Sequence, residues 1–212
     1  MHRRIEKYHA ILKRFGARLH LYTWKAEEDQ AGGPGVSSPL EELAEACRHG
    51  DRASERRLFL SLAPKMMSLC MRYVGDRATA EDLLQEGFVT LFTRLDSYSG
   101  KGSFEGWARK IFVNTALMYL RKTDALKLSD DIDMAFGVAS EDVPVVGQIS
   151  YKELLGLISK LPSDARTVFN MYVIEGYSHK DIADALGITE VTSRSKLQRA
   201  RVRLQEMINK RR

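Results

Sequence analysis

Tyr177-Ser178-His179-Lys180-Asp181-Ile182-Ala183-Asp184-Ala185-Leu186-Gly187-Ile188-Thr189 runs directly into Glu190-Val191-Thr192-Ser193-Arg194-Ser195-Lys196-Leu197-Gln198-Arg199-Ala200-Arg201. The spacing predicts two short helices joined by a tight turn, an arrangement that delivers side chains to a DNA major groove. Ser178 stands where it can cap the first helix, with Asp181 three residues on in the capping-box position. Ile182, Ala183 and Leu186 give that helix an apolar face. Gly187 supplies the turn, where a positive φ is cheap only for glycine. Thr189 can cap the second helix, and Glu190 suits its positive N-terminal end. From Ile188 to Arg212 there are eight Lys or Arg against two acids, the footprint of a phosphate-binding surface. Charge alone would equally describe a solvated basic helix. The glycine turn, the two caps and the small Ala183 where helices must approach decide for helix-turn-helix.

Working outward, the 212 residues are 44% hydrophobic and 29% charged, enough to bury cores and too apolar for disorder throughout. The net charge of +5 suits a polyanionic partner, and its distribution says more than its sum. Thr123 to Ile149 holds one Lys and six acids (Asp124, Asp130, Asp131, Asp133, Glu141, Asp142), has no sustained period and contains Pro144. It reads as an extended acidic linker. Cys47 and Cys70 are too far apart in sequence for a CxxC metal pair, so a reducing cytoplasm with both packed as small apolar residues is the simplest setting. No apolar run approaches the roughly 18–20 residues that span a membrane, and the N-terminus lacks a signal-peptide core.

The expected class is all-α: two small helical domains joined by the acidic linker, the second carrying the helix-turn-helix. Residues 1–39 form an N-terminal extension. Ile5, Tyr8, Leu12, Phe15, Leu19 and Tyr22 stripe an amphipathic helix, followed by Gly/Pro/Ser linker chemistry. It could dock on the body of the protein, on a partner or on nothing. A first domain covers 40–122. Leu43, Ala46 and Cys47 start one helix. Leu58, Leu62, Met66, Leu69 and Tyr73 stripe a second, with a kink expected at Pro64. Asp76 caps a third, buried through Leu84, Phe88, Leu91 and Leu95. Ser97 to Gly102 is a loop, and Ser103 caps a last helix with Phe104, Trp107, Ala108, Ile111, Phe112 and Thr115 inward. The linker takes 123–149 and a second domain 150–212. There Leu154, Leu155, Ile158 and Leu161 stripe one helix, and Val168, Phe169, Tyr172 and Val173 the next.

These stretches resemble bacterial sigma factors of the extracytoplasmic-function group of the sigma-70 family, over roughly residues 41–208. Tyr73-Val74-Gly75-Asp76-Arg77-Ala78-Thr79-Ala80-Glu81-Asp82-Leu83-Leu84-Gln85-Glu86-Gly87-Phe88 is similar to the helix that grips core RNA polymerase. Phe104-Glu105-Gly106-Trp107-Ala108-Arg109-Lys110-Ile111-Phe112-Val113-Asn114 is similar to the promoter-melting helix. Leu161-Pro162-Ser163-Asp164-Ala165-Arg166-Thr167-Val168-Phe169 opens the second domain in the family's manner, and Gly176 through Leu204 is its helix-turn-helix. Each stretch alone is moderate evidence; all four in this order are specific.

The resemblance implies a promoter-specificity subunit that binds core polymerase, recognises −35 and −10 elements and helps open the duplex. Asp82, Gln85 and Glu86 would dock on the polymerase β′ subunit, with β as a further contact. Lys101, Arg109, Lys110, Arg121 and Lys122 would hold phosphates and Asn114 a base edge. The loop Tyr98 to Ser103 would hold a flipped −10 base. Trp107 would either stack near it or, at the core spacing of Phe104 and Ile111, pack inward. In the second domain Glu190, Thr192, Ser193, Arg194 and Lys196 would contact the −35 element, with Arg199 and Arg201 mostly on phosphate or solvent. Three positions depart from the family's pattern: Met118 where Asp is common, Val191 where Gly is frequent, and Lys196 where Arg is frequent, which removes a bidentate guanine contact.

The linker would thread toward the RNA path as a phosphate mimic or serve as a solvated tether. Promoter DNA, core RNA polymerase and a membrane-linked anti-sigma factor are the implied partners. The alternative is a stand-alone helix-turn-helix regulator that does not bind core polymerase. An enzyme is not expected, nor a cofactor: the sequence shows no paired carboxylates in a plausible pocket, no metal-ligand cluster, no phosphate-cradling glycine loop and no nucleophile motif. His20, His49 and His179 are isolated and expected at the surface.

Overall fold

A computed structural model describes residues 38–123 and 151–210. The amphipathic stripe of residues 5–22, the acidic linker from Asp124 on and the two terminal arginines lie outside them. Every regular element among the described residues is helical: α1 (Pro39–Arg48), α2 (Arg52–Val74), α3 (Arg77–Thr93), α4 (Phe104–Lys122), α5 (Tyr151–Ile158), α6 (Ser163–Phe169), α7 (His179–Leu186) and α8 (Glu190–Asn209). A 3₁₀ turn covers Leu95–Ser97 and a π-helical turn Asn170–Ile174. The described residues divide into two compact units, 38–70 with 76–116, and 71–75 with 117–123 and 151–210.

Local chemistry fixes the helix starts in the first unit. Ser38 and Glu41 form a reciprocal capping box on α1, with Pro39 in the first turn. The Asp51 carboxylate accepts from the backbone N–H groups of Ala53 (3.0 Å) and Ser54 (3.2 Å) at the head of α2. Its pKa is lowered, first by the Ser54 hydroxyl. Asp76 accepts from the Thr79 N–H at 2.8 Å to start α3, as expected. Ser103 accepts from Gly106 N–H at 3.1 Å to start α4. α2 continues through Pro64, and α3 ends at Thr93, so Leu95 is buried from the 3₁₀ turn instead of from the helix.

The core of this unit is the expected stripe set. Leu58, Leu62, Met66 and Leu69 of α2 meet Leu83, Leu84, Phe88 and Leu91 of α3 and Phe104, Ala108 and Phe112 of α4, all nearly or fully buried. Phe88 organises it: its ring lies 4.5 Å from Phe59 and 5.1 Å, edge-on, from Phe112. Cys47 and Cys70 are both buried. Burial, with Glu55 and Asp51 nearby, pushes the Cys47 thiol up to about 12, so it packs as a small apolar residue.

The second unit buries Leu157, Ile158, Leu161, Ala165, Ala200 and Leu204, with Leu154, Phe169, Ile174, Met207 and Ile208 packed around them. One expectation fails here. The sequence spacing puts Tyr172 and Val173 in the core, whereas both are exposed. The π-helical turn carries one extra residue per turn, which rotates the face so that Asn170 and Met171 point inward in their place.

Candidate nucleic-acid interface

The helix-turn-helix forms as its residues dictate. The Ser178 hydroxyl and Asp181 carboxylate close a capping box on α7. Those hydrogen bonds, the one from the Ser178 side chain first, hold the Asp181 carboxyl below its usual range. Gly187 ends α7 in the left-handed region at φ +68°, and Thr189 accepts from Thr192 N–H at 3.1 Å to begin α8.

α8 is then oriented by one buried stripe. Ser193, Lys196, Leu197, Ala200 and Leu204 are buried, a spacing of three, one, three and four that lies on one side of a helix. Two of these had been assigned to DNA, and the structure moves both inside. Lys196 Nζ donates to Asp164 Oδ2 at 2.6 Å, the two side chains being only 9% and 7% exposed. Ser193 is fully buried, its Oγ 2.9 Å from Nδ1 of His179. Neither reaches a base from there. The reason is periodicity: both positions share the side of Leu197, Ala200 and Leu204.

His179, expected at the surface, is half-buried. Its ring stacks on Tyr172, centroids 4.4 Å apart and planes 22° apart. Its pKa is lowered, first by burial and then by the nearby Arg194 charge. It thus pins the head of α7 to the first turn of α8 as a neutral ring.

The opposite side of α8 is what remains for a ligand. At about 100° per residue it carries Val191, Ser195 and Gln198, flanked by Arg194. Val191 is 75% exposed, and Ser195 and Gln198 are half-buried. The sequence reading did not select Ser195 or Gln198; counting from the Leu197–Ala200–Leu204 stripe would have found them. Arg194 Nη2 donates to Glu190 Oε2 at 2.7 Å, both well exposed. Such a surface pair contributes roughly 0–1 kcal/mol and exchanges readily for a phosphate or a base. Thr192 is half-buried, its Oγ1 2.9 Å from that of Thr189. Arg199 is half-buried and Arg201 exposed.

Along one side of α4, Lys110, Asn114, Met118 and Arg121 follow at steps of four, four and three, all exposed, with Lys122 beside them. Met118 is 65% exposed in the middle of this polar stripe. Arg109 is half-buried. Trp107 is half-buried too, its ring 5.5 Å from Tyr98 and 5.3 Å from Phe104, so it packs on one side and keeps some surface to solvent.

The loop before α4 is anchored by Tyr98 at its base. The buried Tyr98 hydroxyl donates its one proton between two acceptors, Glu41 Oε1 at 2.8 Å and the Gly102 carbonyl at 2.7 Å. Burial and the Glu41 hydrogen bond push it up to about 12. Arg48 Nη2 donates to the Tyr98 carbonyl at 2.6 Å, a loop support the sequence reading did not name. Ser99, Gly100, Lys101 and Gly102 are left exposed beside a cleft of about 760 Å³ lined by Glu41, Glu45, Arg48, Tyr98, Ser99 and Gly100.

On α3, Asp82 and Glu86 are exposed and Gln85 half-buried, on the side opposite Ala80, Leu83, Leu84, Gly87 and Leu91. Two like charges four residues apart cost a helix a few tenths of a kcal/mol. No helix in the described residues is long and apolar enough to cross a membrane.

Comparison with known proteins finds two matched regions. Residues 58–125 match sigma-70 region 2 and residues 151–204 match sigma-70 region 4. The ECF RNA polymerase sigma-E factor of Escherichia coli K12 is 31% identical over 172 residues, covering 75% of this chain and 88% of that protein. The RNA polymerase sigma-H factor of Pseudomonas aeruginosa is 28% identical over 172 residues, covering 76% and 89%. Among solved structures, the sigma factor RpoE of Bartonella quintana, crystallised with the anti-sigma factor NepR, matches at a TM-score of 0.47 and 22% identity, over 73% of this chain and 96% of that one.

Proposed function

This chain belongs to the extracytoplasmic-function group of sigma-70 RNA polymerase sigma factors, and from that premise we propose how its surfaces divide the work. The outward side of α8, with Val191, Arg194, Ser195 and Gln198 and with Glu190 at its head, reads the −35 element. Lys110, Asn114, Arg121 and Lys122 of α4, with Lys101 in the preceding loop, hold the −10 element. A base flipped from the duplex enters the cleft beside Ser99 to Gly102, and the partly exposed Trp107 edge lies near it. Asp82, Gln85 and Glu86 dock on basic groups of the polymerase β′ subunit. The work is recognition and duplex opening carried out in the cytoplasm, with polymerase performing the chemistry. An anti-sigma factor, as the family resemblance implies, covers these surfaces until released.

The observation that supports this reading best is the two-sidedness of α8: one side is committed to the core and the other presents Arg194, Ser195 and Gln198 away from it. The stand-alone regulator is disfavoured by the region 2 match, which takes in α3 and α4. The test is to mix the purified chain with core RNA polymerase, recover the complex, and run transcription on a library of upstream fragments. Core binding with new, sequence-specific start sites is expected. DNA binding without core binding would overturn the reading.

A further inference from the structure

Val191 is the most exposed of the large apolar side chains among the described residues, at 75%. It occupies the second position of α8, after the Thr189 cap and Glu190. Nothing structural asks for valine there. A β-branched residue is not favoured by helix propensity. The apolar position that would staple the helix start is Ile188, before the cap, and not Val191. The side chain points away from the Ser193–Lys196–Leu197–Ala200 stripe that holds α8 in place. It lies at the end of the helix that reaches base edges first, one turn before Arg194 and Ser195 and two turns before Gln198, on the same side. All three neighbours hydrogen-bond; Val191 cannot.

On the base edges of a major groove the thymine C5-methyl is the one apolar group. We propose that Val191 is a specificity-determining residue that packs on a thymine methyl in the −35 element, next to the base contacted by Arg194. This rests on the assignment of the outward side of α8 to the −35 element. It makes valine at this position a selector for thymine over cytosine, which otherwise offers an amine where thymine offers a carbonyl.

The test uses the holoenzyme and the −35 sequence it selects from a randomised duplex pool. Each thymine of that element is replaced in turn by deoxyuridine, which removes only the methyl. One replacement is expected to weaken binding about threefold to fivefold, the value of burying one methyl group. The Val191→Ala holoenzyme should bind the unmodified duplex about as weakly and be indifferent to that replacement. Arg194→Ala serves as the companion. If Arg194→Ala weakens binding but every deoxyuridine duplex binds as well as its parent, or Val191→Ala keeps the same sensitivity, the Val191 contact is wrong. If Arg194→Ala also leaves binding unchanged, the assignment of α8 itself falls. A selected element with no thymine on either strand would equally overturn the proposal.

Discussion

Lys196 shows how one residue can be misread by its charge. Among the eight cations of residues 188–212 it reads as a DNA contact, yet its ammonium is buried against Asp164. A buried pair of this kind is costly to break from one side, because the survivor stays charged without its partner. Lys196→Ala is therefore expected to lower the stability of the full chain by about 3–5 kcal/mol, seen as a fall in the urea midpoint. Lys196→Met with Asp164→Leu should recover most of it. A loss of promoter affinity with unchanged stability would mean that Lys196 leaves the core to reach DNA. Gly87 carries a second residue-scale argument. A Cβ there would sit within the van der Waals envelope of the Phe112 ring, and that ring is fully buried. Alanine gains up to about 1 kcal/mol of helix propensity but overpacks the α3–α4 contact at about 1–3 kcal/mol. Gly87→Ala should thus destabilise by about 1–2 kcal/mol net, whereas a thermal melt at or above that of the parent would show that Phe112 gives way. The Phe112 ring across from Gly87 explains why glycine stands there.

At the scale of the element, the helix starts were the most legible features, because a cap is a local event. Ser178 with Asp181, Thr189, Asp76 and Gly187 all do what their neighbours in sequence imply. The face of the helix before α7 was not legible. A π-helical turn leaves no mark in a periodic count, so Tyr172 and Val173 were placed inside. That turn has a use: it leaves Tyr172 free to stack on His179, which ties α7 to α8 through Ser193. The joint is pH-sensitive in a definite direction. The folded pKa of His179 is lowered from its ordinary value near 6.5, so the unfolded chain takes up the proton first as pH falls. Stability from this group is complete above about pH 6.5 and declines below it toward the folded pKa. The capping carboxylates have their folded pKa values lowered as well. Their contribution is present above the ordinary carboxylate range and lost only at more acid pH. Between pH 7.5 and 5, the urea midpoint of the parent should fall more steeply than that of His179→Gln. Parallel curves for the two proteins would show that the ring titrates as freely as in the unfolded chain.

For the molecule as a whole, the order of parts was readable because each part carries its own local signature, and the surfaces were readable less well because they depend on which side of a helix is spare. On α3 the spare side holds Asp82 and Glu86, a like-charged pair the helix does not need. On α8 it holds Arg194 and, further along, the exposed Arg201. On the proposed division of work these two surfaces answer to different partners, so salt and charge reversal should separate them. Each phosphate contact formed on DNA binding releases about one counterion and adds about one unit to the magnitude of the slope of log affinity against log salt. Replacing Arg201 with alanine should weaken promoter binding by the holoenzyme on all sequences and reduce that slope by about one, with core binding unchanged. Asp82→Arg with Glu86→Arg should do the reverse. Each lost pairing with a basic group of polymerase is replaced by a repulsion, so core affinity should fall about tenfold or more, the scale of one to two such reversals at a partly exposed interface. The promoter slope of whatever holoenzyme still forms should stay where it was, since no phosphate contact has been touched. A fluorescence-anisotropy titration of core polymerase against each labelled variant, followed by promoter titrations at several salt concentrations, reads both quantities on one sample. An unchanged core affinity in the double charge reversal would remove α3 from the polymerase interface. A changed promoter slope in that same variant would mean that α3 and the DNA-facing helices do not divide the work at all.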